Sequence, residues 1–183
     1  MTAALELAQQ GFDVHLVERE KELGGNLRKI HYVLGSEDPQ EKLRNIIKRV
    51  NENDRIHVYT GAEILDVEGY VGNFKTKLAF NGEEREVEHG AVIVATGGIE
   101  YKPTEYLYGN DPRVLTQFEL EEKLAKGDFD AKTVVMIQCV GSRNEERPNC
   151  SRICCSCAIK NALKIKEMNP LADVYVLYKD VRT

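Results

Sequence analysis

Apolar residues in the first ten positions recur at helical spacing. Ala4, Leu5 and Ala8 share a face, and Gly11 is placed to end the helix. Residues 12–17 then alternate as a short buried strand that ends in Glu18, and a glycine loop follows at Leu23-Gly24-Gly25-Asn26. Asp38-Pro39 pairs an N-cap acid with the proline favoured at the first helical position, and Leu43, Ile46, Ile47 and Val50 line one face of the helix it opens. From residue 56 the period shortens to two. Residues 56–59, 64–67, 74–80 and 85–87 read as strands of an antiparallel meander over about 56–88, with turns at Gly72-Asn73 and Asn81-Gly82. Residues 91–95 form a continuous apolar run, the pattern of a strand buried on both faces.

Residues 101–115, with Pro103, Gly109 and Pro112, read as a connection. Thr116-Gln117-Phe118-Glu119 is a capping box that opens a short helix to about Lys126, with residues 119–123 as its solvated face. Residues 133–138 read as a buried strand, 155–168 as a helix and 174–178 as a final strand, which together make a βαβ unit. The expected fold class is α/β, with parallel strands from Val14, Val92, Val134 and Val174 and the meander inserted. Two regions are expected, 1–115 and 116–183.

Composition narrows the function classes. The chain has 183 residues and a formal net charge of -5, which argues against nucleic acid as a partner. Its longest apolar runs are too short to span a bilayer. The first residues lack the basic start and apolar run of a signal peptide, so a reducing cytoplasm is the expected compartment. All five cysteines lie between Cys139 and Cys157. A disulfide framework staples distant segments of a secreted domain, whereas a tight cluster such as this points to metal ligation or redox chemistry.

Three motifs carry chemistry. In a Rossmann-like dinucleotide site, a strand runs into a Gly-rich turn and a helix, and an acid about 20 residues on binds a ribose hydroxyl. The helix, the second strand and the acid Glu18 are present, followed by Arg19; the glycines would lie before Met1. Taken alone, Glu18 also reads as a solvated strand-end acid. The second motif is Val92-Ile93-Val94-Ala95-Thr96-Gly97-Gly98, whose small residues permit close backbone approach to a ligand. Glu18, Gly24-Gly25, the meander and Ala95-Thr96-Gly97 occur in the order found in two-domain, thioredoxin-reductase-like flavin-dependent disulfide reductases. That resemblance implies an FAD site formed by Glu18, Arg19, Gly24, Gly25, Asn26, Ala95, Thr96 and Gly97.

The third motif is Cys139-Val140-Gly141-Ser142-Arg143 followed by Cys150-Ser151-Arg152-Ile153-Cys154-Cys155-Ser156-Cys157. Thiolates suit an iron–sulfur cluster or zinc. The adjacent Cys154 and Cys155 diverge unless the backbone turns between them, which a cluster with several irons tolerates better than one ion does. Arg143, Arg147 and Arg152 are placed either to offset cluster charge or simply to form a solvated basic loop.

The run 135–143, continuing through Cys150-Ser151-Arg152-Ile153-Cys154-Cys155 to Lys160-Asn161-Ala162, resembles HdrA of the heterodisulfide reductases and its relatives, flavoproteins of methanogens and other anaerobes. The resemblance implies FAD in a thioredoxin-reductase-like module and a nearby [4Fe–4S] cluster on Cys139, Cys150, Cys154 and Cys155, with Cys157 a fifth thiol outside the ligand set. It also implies electron transfer or bifurcation between the two cofactors. The implied partners are the other heterodisulfide reductase subunits and an electron-donating hydrogenase or dehydrogenase. On this reading the chain is an internal piece that stops at Val181-Arg182-Thr183, its FAD site is truncated, and FAD binds weakly or not at all. Two alternatives stay open: a zinc-binding structural module, and a fragment that binds no cofactor. His15, His31, His57 and His89 match no ligand spacing and read as surface or satisfied core residues.

Overall fold

The computed structural model describes residues 1–182; Thr183, the last residue of the run named above, lies outside the described residues. The chain divides into two compact units, one made of residues 1–28 and 40–98 and the other of residues 29–39 and 99–183.

In the first unit, helix α1 (Thr2–Gln9) leads into β1 (Val14–Glu18). Gly11, at φ +94°, supplies the left-handed residue just beyond the helix end. Helix α2 (Pro39–Asn51) returns the chain to β2 (Ile56–Thr60), which pairs in parallel with β1 from Val14↔Ile56 to Glu18↔Thr60. Ala4, Leu5, Ala8, Leu23, Val50 and Ile56 form the core of this layer.

The meander is β3 (Glu63–Tyr70), β4 (Asn73–Phe80) and β5 (Glu83–His89), all antiparallel. Phe80 pairs with Glu83 across Asn81 and Gly82, whose φ angles of 55° and 79° are both positive, as a two-residue type I′ hairpin requires. Leu78 is fully buried and packs with Tyr59, Ala62 and Val87.

Two expectations fail in this unit. Residues 56–60 belong to the parallel pair, so the meander has three strands and starts at Glu63. Residues 91–95 are not a strand: they carry no regular structure, and Val92, Ile93 and Val94 are 52%, 58% and 79% exposed. The physical reason is pairing. An apolar run becomes a buried parallel strand only between neighbours that take up its N–H and C=O groups, and among the described residues the sheet of β1 and β2 has just those two strands.

In the second unit, helix α3 (Gln117–Lys126) opens with the expected capping box, in which Thr116 accepts from the Glu119 N–H and Glu119 accepts from the Thr116 N–H. It closes at Gly127 in the left-handed conformation. Strand β6 (Thr133–Ile137), helix α4 (Cys154–Met168) and β7 (Asp173–Leu177) complete the βαβ unit. β6 and β7 pair in parallel from Thr133↔Asp173 to Ile137↔Leu177. Leu120, Leu124, Met136, Ala158, Ile165 and Ala172 form the core.

Candidate functional site

Each unit has a loop with candidate residues after the C-terminal end of a parallel strand, and the first unit adds the irregular segment of Ala95, Thr96 and Gly97. The C-terminal ends of parallel strands are where open α/β sheets place ligands.

In the first unit, Glu18 ends β1 and its Oε1 accepts from the Glu20 N–H at 2.9 Å. Arg19 is exposed and lies 3.6 Å from Glu20. Gly24 (φ +121°) packs against Leu43, while Gly25 (φ +50°) opens a 3₁₀ turn, Gly25–Lys29. Asn26 Nδ2 donates to the Gly98 carbonyl at 2.7 Å, across 72 residues of chain. The structure thereby joins the Gly24-Gly25 loop to the end of the Ala95-Thr96-Gly97-Gly98 segment. A Cβ built on Gly25, Gly97 or Gly98 meets nothing within 4 Å, so the backbone there is open to a ligand. The link between the two segments runs through Asn26, whereas the Glu18 carboxylate and the Arg19 guanidinium each meet Glu20.

Two histidines of this unit have polar partners within the fold, and His57 is exposed. His15 lies 3.2 Å from the Tyr59 hydroxyl, and His89 Nε2 lies 2.7 Å from Thr76 Oγ1. Burial pushes the His15 imidazole below its usual value, with His57 and His89 adding to the shift and Asp13 opposing it.

In the second unit the loop after β6 carries Cys139 and Cys150, and the start of α4 carries Cys154, Cys155 and Cys157. All five thiols are free; Cys155 is buried and the others are half-buried. The loop backbone is unusual. Cys139, Arg143 and Arg152 all sit at positive φ (62°, 58° and 63°), a region that side chains other than glycine seldom adopt and that clusters at ligand clamps. A Cβ on Gly141 would fall 2.2 Å from the Tyr101 ring, so only glycine fits there. Arg147 lies over the same ring at 4.9 Å. Arg143 makes an ion pair with Asp180, and Lys179 Nζ donates to the Arg143 carbonyl at 2.8 Å. Two donors already face sulfur: Arg143 Nη1 lies 3.9 Å from Cys139 Sγ, and the Arg152 N–H points to Cys150 Sγ at 3.3 Å.

Among the described residues, no three His, Cys, Asp or Glu side chains converge as a ready-made metal site. Thiols are the donor type that iron–sulfur clusters and zinc take, and all five free thiols lie on one loop and one helix start. Gln138 Nε2, on the residue next to Cys139, is buried without a hydrogen-bond partner among the described residues.

Behind the thiols lies a polar network that the sequence pattern does not reveal. Residues 119–123 are expected to form a solvated face, yet Glu121 is 1% exposed. Its carboxylate meets Lys160 Nζ at 2.7 Å and accepts the His31 N–H at 2.8 Å. Lys160 also donates to the Tyr32 carbonyl, and the Tyr32 hydroxyl donates to Asn161 Oδ1 at 2.6 Å. Asn161, fully buried, donates in turn to Gln117 Oε1 at 2.7 Å. Burial raises the Tyr32 hydroxyl pKa, helped by Glu121 and Cys157. Burial likewise pushes the Cys157 thiol up, against the pull of Lys160 and with Glu121 and Cys154 adding to it. Glu121 escapes a reading of the sequence because the acids beside it make its helix face look solvated; its partner Lys160 stands 39 residues further on.

The chain is 28% identical to the HdrA protein of the H2:CoB-CoM heterodisulfide,ferredoxin reductase of Methanothermobacter marburgensis, an alignment that covers 98% of this chain and 42% of that protein. It is 29% identical to an HdrA-type iron-sulfur protein of the CoB–CoM heterodisulfide reductase of Methanopyrus kandleri, again over 98% of this chain and 42% of the relative. The chain thus spans less than half the length of these relatives. Among solved structures, L-proline dehydrogenase from P. horikoshii shares the fold with a TM-score of 0.55 at 19% identity, covering 95% of this chain and 32% of that one. The family model for pyridine nucleotide-disulphide oxidoreductases matches residues 1–137, three quarters of the sequence. Glycine loops after parallel strands, an inserted meander and this match lead to one conclusion: the chain belongs to the pyridine nucleotide-disulphide oxidoreductase family.

Proposed function

We propose that this chain is part of a heterodisulfide reductase-type subunit that moves electrons between FAD and a [4Fe–4S] cluster. The observation that carries the proposal is the placement of Cys139, Cys150, Cys154 and Cys155 around the end of β6 and the start of α4, with donors already facing two of their sulfurs. When bound, the flavin supplies paired-electron chemistry and the cluster single-electron transfer.

The residues have distinct tasks in this reading. Glu18 accepts from a ribose hydroxyl of FAD, with Arg19 beside it. Asn26 holds the Gly24-Gly25 loop against the segment of Ala95, Thr96 and Gly97, which leaves backbone free to approach the nucleotide. Cys139, Cys150, Cys154 and Cys155 are the cluster ligands. Arg143 and the N-terminal end of α4 offset the negative charge of a thiolate-ligated cluster. The partners are the other subunits of a heterodisulfide reductase complex and an electron-donating hydrogenase or dehydrogenase, and the setting is a cytoplasm that keeps the five thiols reduced.

The test is anaerobic reconstitution of the 183-residue chain with iron and sulfide, followed by iron, sulfide, zinc and flavin analysis of the wild type and five serine variants. Cluster absorbance and the EPR signal of the reduced form are expected to be lost in Cys154→Ser and Cys155→Ser and kept in Cys157→Ser. If Cys157→Ser abolishes the cluster while Cys139→Ser keeps it, the ligand assignment fails. A wild-type chain that takes up zinc and no iron is a structural module instead.

A further inference from the structure

Strand β3 is an open edge of the meander. It pairs with β4 on one side, and among the described residues no strand takes its other side. Every residue from Glu63 to Tyr70 is exposed. The outer row of backbone N–H and C=O groups is therefore available to another strand.

A bulge sorts the side chains along this edge. Directly opposed residues of an antiparallel pair share a face. Ile64 opposes Leu78 and Val67 opposes Thr76, so both lie on the face that β4 buries. The register shift between Ile64 and Asp66 absorbs Leu65 as the extra residue. Glu63, Asp66 and Glu68 consequently share the opposite face with Lys75 and Lys77 of β4.

Both faces are left unfinished at the edge. Leu78 is fully buried, whereas Ile64 and Val67 on the next strand are 53% and 44% exposed. On the other face Lys75 turns away to β5, 3.4 Å from Glu86 and 3.0 Å from Glu88. Among the described residues, no ion pair engages Glu63, Asp66 or Glu68.

We propose that the free edge of β3 binds, by strand addition, an extended segment of a partner protein in which basic and apolar residues alternate. Main-chain hydrogen bonds to β3 hold the segment. Its apolar residues cover Ile64 and Val67, and its Lys or Arg side chains reach the three carboxylates on the other face. The edge dictates the alternation, because successive side chains of an added strand fall on opposite faces. Charge also selects against a second copy of this chain: two β3 edges would set carboxylates beside carboxylates. The inference is independent of what the thiols of the second unit hold.

The experiment titrates the full chain with short synthetic peptides and follows binding by fluorescence anisotropy and backbone hydrogen exchange by NMR. One peptide alternates lysine and valine, a second has the same composition with lysines and valines in separate blocks, and a third alternates glutamate and valine. The alternating basic peptide is expected to bind and to slow exchange of the β3 amides that do not bond β4. The block peptide is expected to bind about tenfold more weakly, and the acidic peptide not to bind. Glu63→Gln combined with Glu68→Gln is expected to weaken the alternating basic peptide about tenfold while exchange in β4 and β5 stays as in wild type. If the double variant loses the protection of β4, the single Glu63→Gln at the start of the strand decides, and unchanged affinity there overturns the inference. Equal affinity for the block peptide means charge attraction without strand addition and overturns it. So does binding that leaves the β3 amides unprotected, or no binding of the alternating basic peptide to wild type.

Discussion

The two parallel pairs of this chain are built alike and finished differently. β1 with β2 and β6 with β7 each align five residues in register, and each is followed at its first strand by a loop that carries the candidate chemistry. Beneath β1 and β2 the core is apolar, made by Ala4, Leu5, Ala8, Leu23, Val50 and Ile56. Beneath the cysteine loop the packing includes an ion pair and an amide, Glu121, Lys160 and Asn161, all nearly or fully withdrawn from solvent. The loops differ in the same sense. Gly25, Gly97 and Gly98 face open space, whereas Gly141 is pressed on Tyr101 and its neighbour Arg143 is tied to Asp180. An open glycine surface suits a large planar or phosphate-bearing ligand that approaches backbone. A closed loop with directional polar contacts suits a small, highly charged group whose ligands must be held in place.

The largest test of this contrast is Lys160→Met. Removing the cation leaves the Glu121 carboxylate buried without its charge partner, at a cost of about 3–5 kcal/mol. Hydrogen-exchange protection is expected to drop in β6, α4 and β7 and to persist in β1 and β2. Glu121→Leu combined with Lys160→Met is expected to recover much of the loss, because an apolar pair needs no desolvation of charge. Equal loss of protection in both units would show that the ion pair is not specific to the cysteine-bearing unit.

A smaller effect separates the two loops directly. Gly141→Ala adds overpacking of about 1–3 kcal/mol against the Tyr101 ring to the roughly 1–2 kcal/mol of left-handed backbone strain. Gly25→Ala carries the backbone cost alone, because nothing lies near its Cβ. Urea unfolding followed by unit-specific exchange is expected to rank Gly141→Ala as the more damaging. The reverse ranking would mean that the cysteine loop yields more easily than its contacts indicate.

The smallest effect is a pH dependence of the first unit. The folded pKa of His15 lies below the ordinary value of 6.5, so the folded state favours the neutral ring. Its contribution is intact above pH 6.5. As pH falls below that value the unfolded chain takes the proton first, and stability declines until the folded pKa is passed. The urea midpoint for β1 and β2 is expected to fall over this window in wild type and to flatten in His15→Phe. An unchanged slope in that variant would move the cause to another group.

Local signals were legible where one short segment contains the whole cause. The capping box at Thr116, the proline start of α2 and the Asn81-Gly82 hairpin fix backbone over three or four residues, so the residues alone identify them. The five cysteines were legible as a group because they are close in the chain. The tertiary structure decided what depends on distant partners. It gave residues 56–60 to the parallel pair and not to the meander, and it left Val92, Ile93 and Val94 unpaired and exposed. It also placed residues 29–39 with the second unit, where Tyr32 reaches Asn161. Glu121 reads as a surface acid until Lys160 arrives beside it, and Gln138 reads as an ordinary strand end until its amide is found buried without a partner. Strand pairing and polar burial are contacts between residues far apart in sequence, and periodicity records only what neighbours along the chain share.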